Sequence, residues 1–299
     1  MPTTKGAPRG LEILATGPLT TVQDLGRTGL AGLGVGRSGA ADPAALRLAN
    51  RLLGNPEGAA AVEVTFGGLE TRADGGMFVA VTGAVCPTTV DGLPVGRAAV
   101  TWLPDGATLR LGTPAAGVRT YVAVRGGIDV SPVLGSRSTD ILAGLGPDRP
   151  DVGARLPVGP APSTVPRIDV APVAVPTVDE LVLRVTTGPR EDWFTPGALR
   201  LLLTSSYVVT SESDRVGMRL SGPVLERARS GELSSEGMVT GAIQVPPSGQ
   251  PTLFLADHPV TGGYPVIGVV IGEDVGRAAQ ARPGQSVRFT AAGGGAGGT

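Results

Sequence analysis

Between Ala61 and Val130 the chain repeats one pattern: a short valine-rich run, then a turn of Gly, Asp or Pro. AVEVTF, MFVAVTG, RAAVTWL, ATLRLG and RTYVAVRGG are strand-length segments rich in β-branched residues, whose stiff side chains suit a pleated surface. Turns at this frequency need residues that preset or relax the backbone, and the 299-residue chain supplies 47 glycines and 27 prolines. The runs follow one another too closely for helices to alternate with parallel strands. The expectation is a mainly β fold in which the strands close into a barrel. Only 3% of residues are aromatic, so Val, Leu, Ile and Ala must fill the core.

Few helices interrupt this pattern. Asp42 as N-cap, Pro43 at the first helical position and Gly54 as the stop define one helix, with Leu46, Ala49, Leu52 and Leu53 on its buried face. A second is predicted from Thr195 and Pro196 through Leu201–Leu203, and shorter ones from Ser138 onward and over Glu273–Ala281. At about 150 residues per domain the length suits two domains. The boundaries read as 11–157, a Pro/Val-rich linker over 158–180, a second domain over 181–290, and a disordered Gly-rich tail over 291–299. Residues 1–10 read as a loose leader. ILATGP (13–18) and RVTTGP (184–189) each end a strand in Gly-Pro, a faint echo between the two halves.

Composition removes whole classes of function. Charged residues are 17% of the chain, the formal net charge is −1, and no basic run offers a nucleic-acid footprint. No segment approaches the ~18 apolar residues of a membrane span, and the N-terminus lacks the apolar core of a secretory signal. A lone cysteine, Cys86, rules out an intramolecular disulfide and fits a reducing, cytoplasmic setting. Lys5 is the only lysine. A GK[ST] phosphate loop, a Schiff-base lysine, a biotinyl-lysine and a Ser–Ser–Lys triad are therefore beyond this chain. One histidine and one cysteine cannot make a His/Cys metal set, and no carboxylate spacing recommends a magnesium site, so no metal is expected. Gly34, Gly36 and Gly39 spell GxGxxG, but no strand precedes them and the helix starts only at Asp42.

What remains is carboxylates, arginines and amides. The stretch Ser235–Pro265 is densest in them: Glu236, Gln244, Gln250, Asp257, His258, Thr261, Gly263 and Tyr264 lie among glycines and prolines that fix the backbone. The plainer reading is two strands joined by a Pro-Gly turn. Further groups are Asp24 with Arg27, Arg37 and Ser38 with Asp42, Glu63, Ser136 and Arg137 with Asp140, and Arg215 with Arg219. Arginine forks bind carboxylate or phosphate through paired hydrogen bonds, although an isolated arginine usually serves a structural ion pair.

Seven segments, in order, carry a resemblance: TVQDLGRTG (21–29), VGRSGAADPAALRLANRLLGN (35–55), AVEVT (61–65), VLGSRSTD (133–140), DRVGMRLSGP (214–223), SEGMVTGAIQVPPSGQP (235–251) and TGGYP (261–265). Together they resemble the family of the prokaryotic 5-oxoprolinase C subunit. That family takes in allophanate hydrolase subunit 2, the KipA antagonist of a sporulation-kinase inhibitor, and the carboxyltransferase domain of urea carboxylase.

The resemblance implies two cyclophilin-like β-barrel domains. It also implies a B-type partner subunit, an A subunit, and ATP-dependent opening of the lactam of 5-oxo-L-proline to glutamate. In the carboxyltransferase alternative, biotin must ride on another chain. In the KipA alternative, the protein binds a partner without turnover. Where the family usually reads ADRQTTGGYP, this chain reads ADHPVTGGYP, placing His258 and Val260 at positions of Arg and Thr. On this reading Arg215 and Arg37 bind an anion, and Glu236 or Asp257 does acid/base work. Ser38, Gln244, Gln250, His258, Thr261, Gly263 and Tyr264 hold the small-molecule substrate.

Overall fold

The valine-rich runs do form strands, over Ala61–Thr65, Met77–Val85, Val100–Leu103, Thr108–Leu111 and Ala116–Val124. The computed structural model describes residues 9–292 apart from positions 165, 167 and 232. The chain is mainly β and divides into two units. The first joins the chain up to Thr28 with Ser38–Pro176; the second joins Gly29–Arg37 with the chain from Thr177. Most of the leader (residues 1–8) and of the glycine-rich tail (293–299) lies outside the described residues.

The first unit contains two antiparallel sheets. One runs in the order Arg155–Pro157, Gly10–Thr16, Leu69–Asp74, Thr108–Leu111, Thr88–Val90, Leu93–Pro94. The other runs Leu19–Gln23, Ala61–Thr65, Ala116–Val124, Met77–Val85, Val100–Leu103. Leu11, Ile13, Leu69 and Leu109 from the first meet Val22, Val62, Val64, Val79 and Val122 from the second in one core. Helix α1 (Pro43–Leu53) covers the outer face of the second sheet through Leu46, Ala49, Leu52 and Leu53. Ala116–Val124 is thus enclosed on both sides and buried at all nine positions. The helix has the local cause that the sequence predicts: the Asp42 carboxylate caps Ala45 N at 3.1 Å, and Gly54 ends the helix at φ 70°. The Pro/Val-rich stretch runs along this unit, with Val100 N donating to Asp169 O and Arg125 Nη2 to Pro162 O.

The second unit is a closed seven-stranded barrel. Its order is Leu181–Thr187, Val266–Val270, Ala242–Gln244, Thr252–Phe254, Gly217–Ser221, Ser206–Val209, Ser286–Ala291. Closure comes from the parallel pairing of the first and last of these, Leu181↔Val287 through Val185↔Ala291. Leu183, Tyr207, Ile243, Leu253, Ile267 and Phe289 fill the interior. Helices α2 (Pro196–Thr204) and α3 (Gly272–Ala278) pack on the outside. A separate two-stranded ribbon, Glu236–Gly237 against Thr261–Gly262, stands beside the barrel order and carries Glu236 and Thr261 of the polar 235–265 stretch.

No helix starts at Ser138. The Asp140 carboxylate takes the amides of Leu142 and Ala143, and Gly144 and Gly146 adopt positive φ, so side-chain hydrogen bonds replace the helical ladder with turns. The Gly-Pro echo has a shared steric basis. A Cβ at Gly17 would lie 2.0 Å from Gly67 O, and one at Gly188 would lie 2.3 Å from Val266 O.

Candidate functional site

Strand pairing in the second unit gathers the ribbon residues. Glu236 pairs with Gly262 in register, and Met238 N donates to Val260 O at 2.8 Å. Gln244, on the neighbouring barrel strand, donates Nε2 to Tyr264 O at 3.2 Å. A Cβ on Gly262 would come within 2.6 Å of that same Nε2, so any larger residue there would have to push the amide aside. Thr261 and Tyr264 stand exposed at the rim, and Gly263 leaves only an ordinary contact to Leu233 O.

The partner of Glu236 is a residue that sequence reasoning missed. Arg190 follows the Gly188-Pro189 turn that ends strand Leu181–Thr187 and reaches Glu236 through both ends of its guanidinium. Nε donates to Oε2 at 3.0 Å and Nη2 donates to Oε1. The hydrogen bonds from Arg190 hold the Glu236 carboxyl below its usual range, and Glu236 in turn raises the arginine. The side chains remain 39% and 25% exposed, so the pair is open to solvent and to ligands. A charged residue directly after a strand-ending Gly-Pro was the available signal, but Pro18 is followed by Leu19, and the echo gave no reason to single out Arg190.

Arg215 and Asp257 also meet, in a different setting. Arg215 Nε donates to Asp257 Oδ2 at 2.8 Å and Nη2 to Oδ1 at 2.9 Å, with side-chain exposures of 1% and 0%. Asp257 N donates to Arg215 O as well. Burial withholds both from direct contact with a ligand. His258 is 9% exposed, with Nδ1 2.8 Å from Pro259 O and its ring stacked on Phe254 at 5.9 Å between centroids. Gln250 clamps one backbone position, accepting from Gly222 N at 2.9 Å and donating to Gly222 O at 3.0 Å. Arg37 is exposed and clusters with the second unit, whereas Ser38 is buried in the first at φ 53°.

The first unit has its own polar centres. Asp24 accepts from Gly26 N, Arg137 N, Ser136 Oγ and Ser138 Oγ, and these bonds outweigh its burial to hold its carboxyl below the usual range. Glu63 is buried, accepting from Ala41 N at 3.0 Å and from the Tyr121 hydroxyl at 2.7 Å, with Arg119 Nε at 3.8 Å. Burial first, then the charge of Glu63, pushes the Tyr121 hydroxyl well up. Among the described residues no three His, Cys, Asp or Glu side chains gather as a metal set, and no helix is long and apolar enough to cross a membrane.

Comparison with known proteins gives this geometry its ancestry. A family model described as the carboxyltransferase domain, subdomains A and B, matches residues 33–291. The 5-oxoprolinase C subunit of Escherichia coli is 37% identical over 286 residues, covering 93% of this chain and 90% of that protein. The Haemophilus influenzae protein of the same name is 34% identical over 285 residues, covering 94% and 91%. The crystal structure of Kluyveromyces lactis urea amidolyase superposes with a TM-score of 0.90 at 28% identity, over 97% of this chain but 19% of its own. The chain belongs to the carboxyltransferase-domain family, and within it is homologous nearly end to end with bacterial 5-oxoprolinase C subunits.

Proposed function

We propose that this protein is the C subunit of an ATP-dependent 5-oxoprolinase, opening the lactam of 5-oxo-L-proline to glutamate in a cytoplasmic complex with B-type and A subunits. The supporting observation is the extent of the match: 90% of the E. coli protein is covered, whereas the urea amidolyase structure is matched over 19% of its length. In this reading Glu236, held ionised by Arg190, is the base that activates water or accepts a proton as the ring opens. Gln244, Thr261, Gly263 and Tyr264 orient the lactam. The buried Arg215–Asp257 pair is a positioning element that fixes the approach to the ribbon through His258. ATP would phosphorylate the lactam oxygen to weaken amide resonance. With Lys5 the only lysine and no GK[ST] motif, this chain offers no Walker-type cradle, so the nucleotide is assigned to the complex.

A second reading follows from the matched family model itself: transfer of a carboxyl group from biotin carried on a partner chain. The two are separated by co-expressing the protein with its neighbouring subunits and measuring ATP consumption with 5-oxoproline, urea and allophanate in turn. The proposal expects consumption with 5-oxoproline alone and only in the full complex. Turnover that needs urea and a biotinylated partner would replace it with the second reading.

A further inference from the structure

The segment that delivers Arg190 continues into the short 3-10 turn Glu191–Trp193, and residues 226–229 lie alongside it. Thr195 N donates to Glu226 O at 3.1 Å, Ala228 N donates to Trp193 O at 2.8 Å, and the buried Phe194 anchors the turn between them. This pairing brings Arg229 Nη2 within 2.8 Å of Asp192 Oδ2. It also lays two guanidiniums over the Trp193 ring, Arg227 at 5.6 Å and Arg229 at 6.0 Å from its centroid. The face of an indole attracts a cation, so Trp193 holds Arg229 where it meets Asp192.

Four charges of alternating sign thus follow one another: Arg229, Asp192, Arg190 and Glu236. Hydrogen bonds to Glu236 raise Arg190 most, and the charge of Asp192 adds to them. Arg190 therefore stands between two carboxylates that compete for it. Of the other groups on these segments, Arg227 donates Nη2 to Gly231 O, and Glu191 and Glu226 are exposed. Thr261 and Gly262, opposite Glu236 in the ribbon, carry no charge.

We propose that Asp192 and Arg229 are positioning residues for the candidate base. Arg229 occupies Asp192, which leaves the Arg190 fork to Glu236 and fixes that carboxylate at the open edge. The inference rests on the role proposed for Glu236.

The test reads the Glu236 carboxyl directly and needs neither substrate nor partner. The full chain carrying ¹³Cδ-labelled glutamate is titrated by NMR from about pH 7 to about pH 3, and the Glu236 signal is the one missing in Glu236→Gln. Arg229→Gln releases Asp192 to draw on Arg190, so the Glu236 midpoint is expected to rise by about 0.3–0.5 pH units. Asp192→Asn removes the competitor, so the midpoint should fall by about as much. The double variant should return to within about 0.2 of the parent. Arg229 and Asp192 are 56% and 46% exposed, so neither change threatens the fold. A merely structural role would not move the two single variants in opposite directions. No movement, movement in one variant only, or movement of the same sign in both would overturn the proposal. Parental turnover in Glu236→Gln would instead remove the base that the row serves, without altering these midpoints.

Discussion

Two of the arginine–carboxylate pairs in the second unit are each held through Nε and Nη2 and differ in exposure. Arg215 and Asp257 are sealed at 1% and 0%, whereas Arg190 and Glu236 are open at 39% and 25%. A sealed pair repays its desolvation only while both partners remain, so its worth is conformational and its loss is felt as instability. An open pair is screened by water and adds little to stability, which leaves its carboxylate free to serve chemistry. On the proposed reading, the motif richest in hydrogen-bonding residues splits into a support and a working edge, joined by the short stretch from His258 to Gly262.

Breaking the support should have the largest effect. Asp257→Ala strands Arg215 in the interior and is expected to destabilise the chain by about 3–5 kcal/mol in urea unfolding. The double replacement Arg215→Met with Asp257→Leu should recover most of that loss. A single variant as stable as the parent would mean the pair is not sealed in solution.

At the open pair the effect moves to activity. Arg190→Ala should cost about ten- to a hundredfold in turnover by the assembled complex, with little change in melting temperature. It also makes a signed pH prediction. Arg190 holds Glu236 below its ordinary value, so the base persists into acid; removing Arg190 raises that pKa and moves the acid limb of kcat/KM to higher pH.

Smaller effects refine the contrast. Gly262→Ala forces the Gln244 amide aside, since the new Cβ would sit 2.6 Å from Nε2. A several-fold rise in KM with about 1 kcal/mol of destabilisation is expected. At the barrel seam, the Asp274 pKa is lowered from 3.8 to about 2, chiefly by its hydrogen bonds from the Arg184 side chain. Its stabilisation is full above pH 3.8 and is lost as pH falls through 2, so Asp274→Asn should flatten the acid end of the stability curve.

Local signals in the sequence carried much of the fold. Asp42, Pro43 and Gly54 act through bonds within a few residues of themselves, and each valine run between Ala61 and Val124 carries its own strand preference. Its sheet partners nonetheless lie far along the chain: Ala61–Thr65 sits between Leu19–Gln23 and Ala116–Val124. The ribbon is local, because Glu236, Thr261 and Gly263 fall within one short segment. Long-range partners left no such trace. Arg190 lies 46 residues from Glu236, and nothing in GPRED announces its target. The parallel seam between Leu181–Thr187 and Ser286–Ala291 joins opposite ends of the unit. Burial was equally hidden: Arg215 reads like any loop arginine until Asp257 is placed against it. Ser138 misled because its hydroxyl caps Asp24 across the fold rather than a helix of its own.

The central claim is that Glu236, at the open edge, performs the chemistry that the sealed pair only supports. It is tested most directly by 5-oxoproline-dependent ATP turnover in the complex carrying Glu236→Gln. The account predicts a folded, assembled protein whose turnover falls by about a hundredfold or more. Parental turnover by a folded Glu236→Gln complex would contradict it.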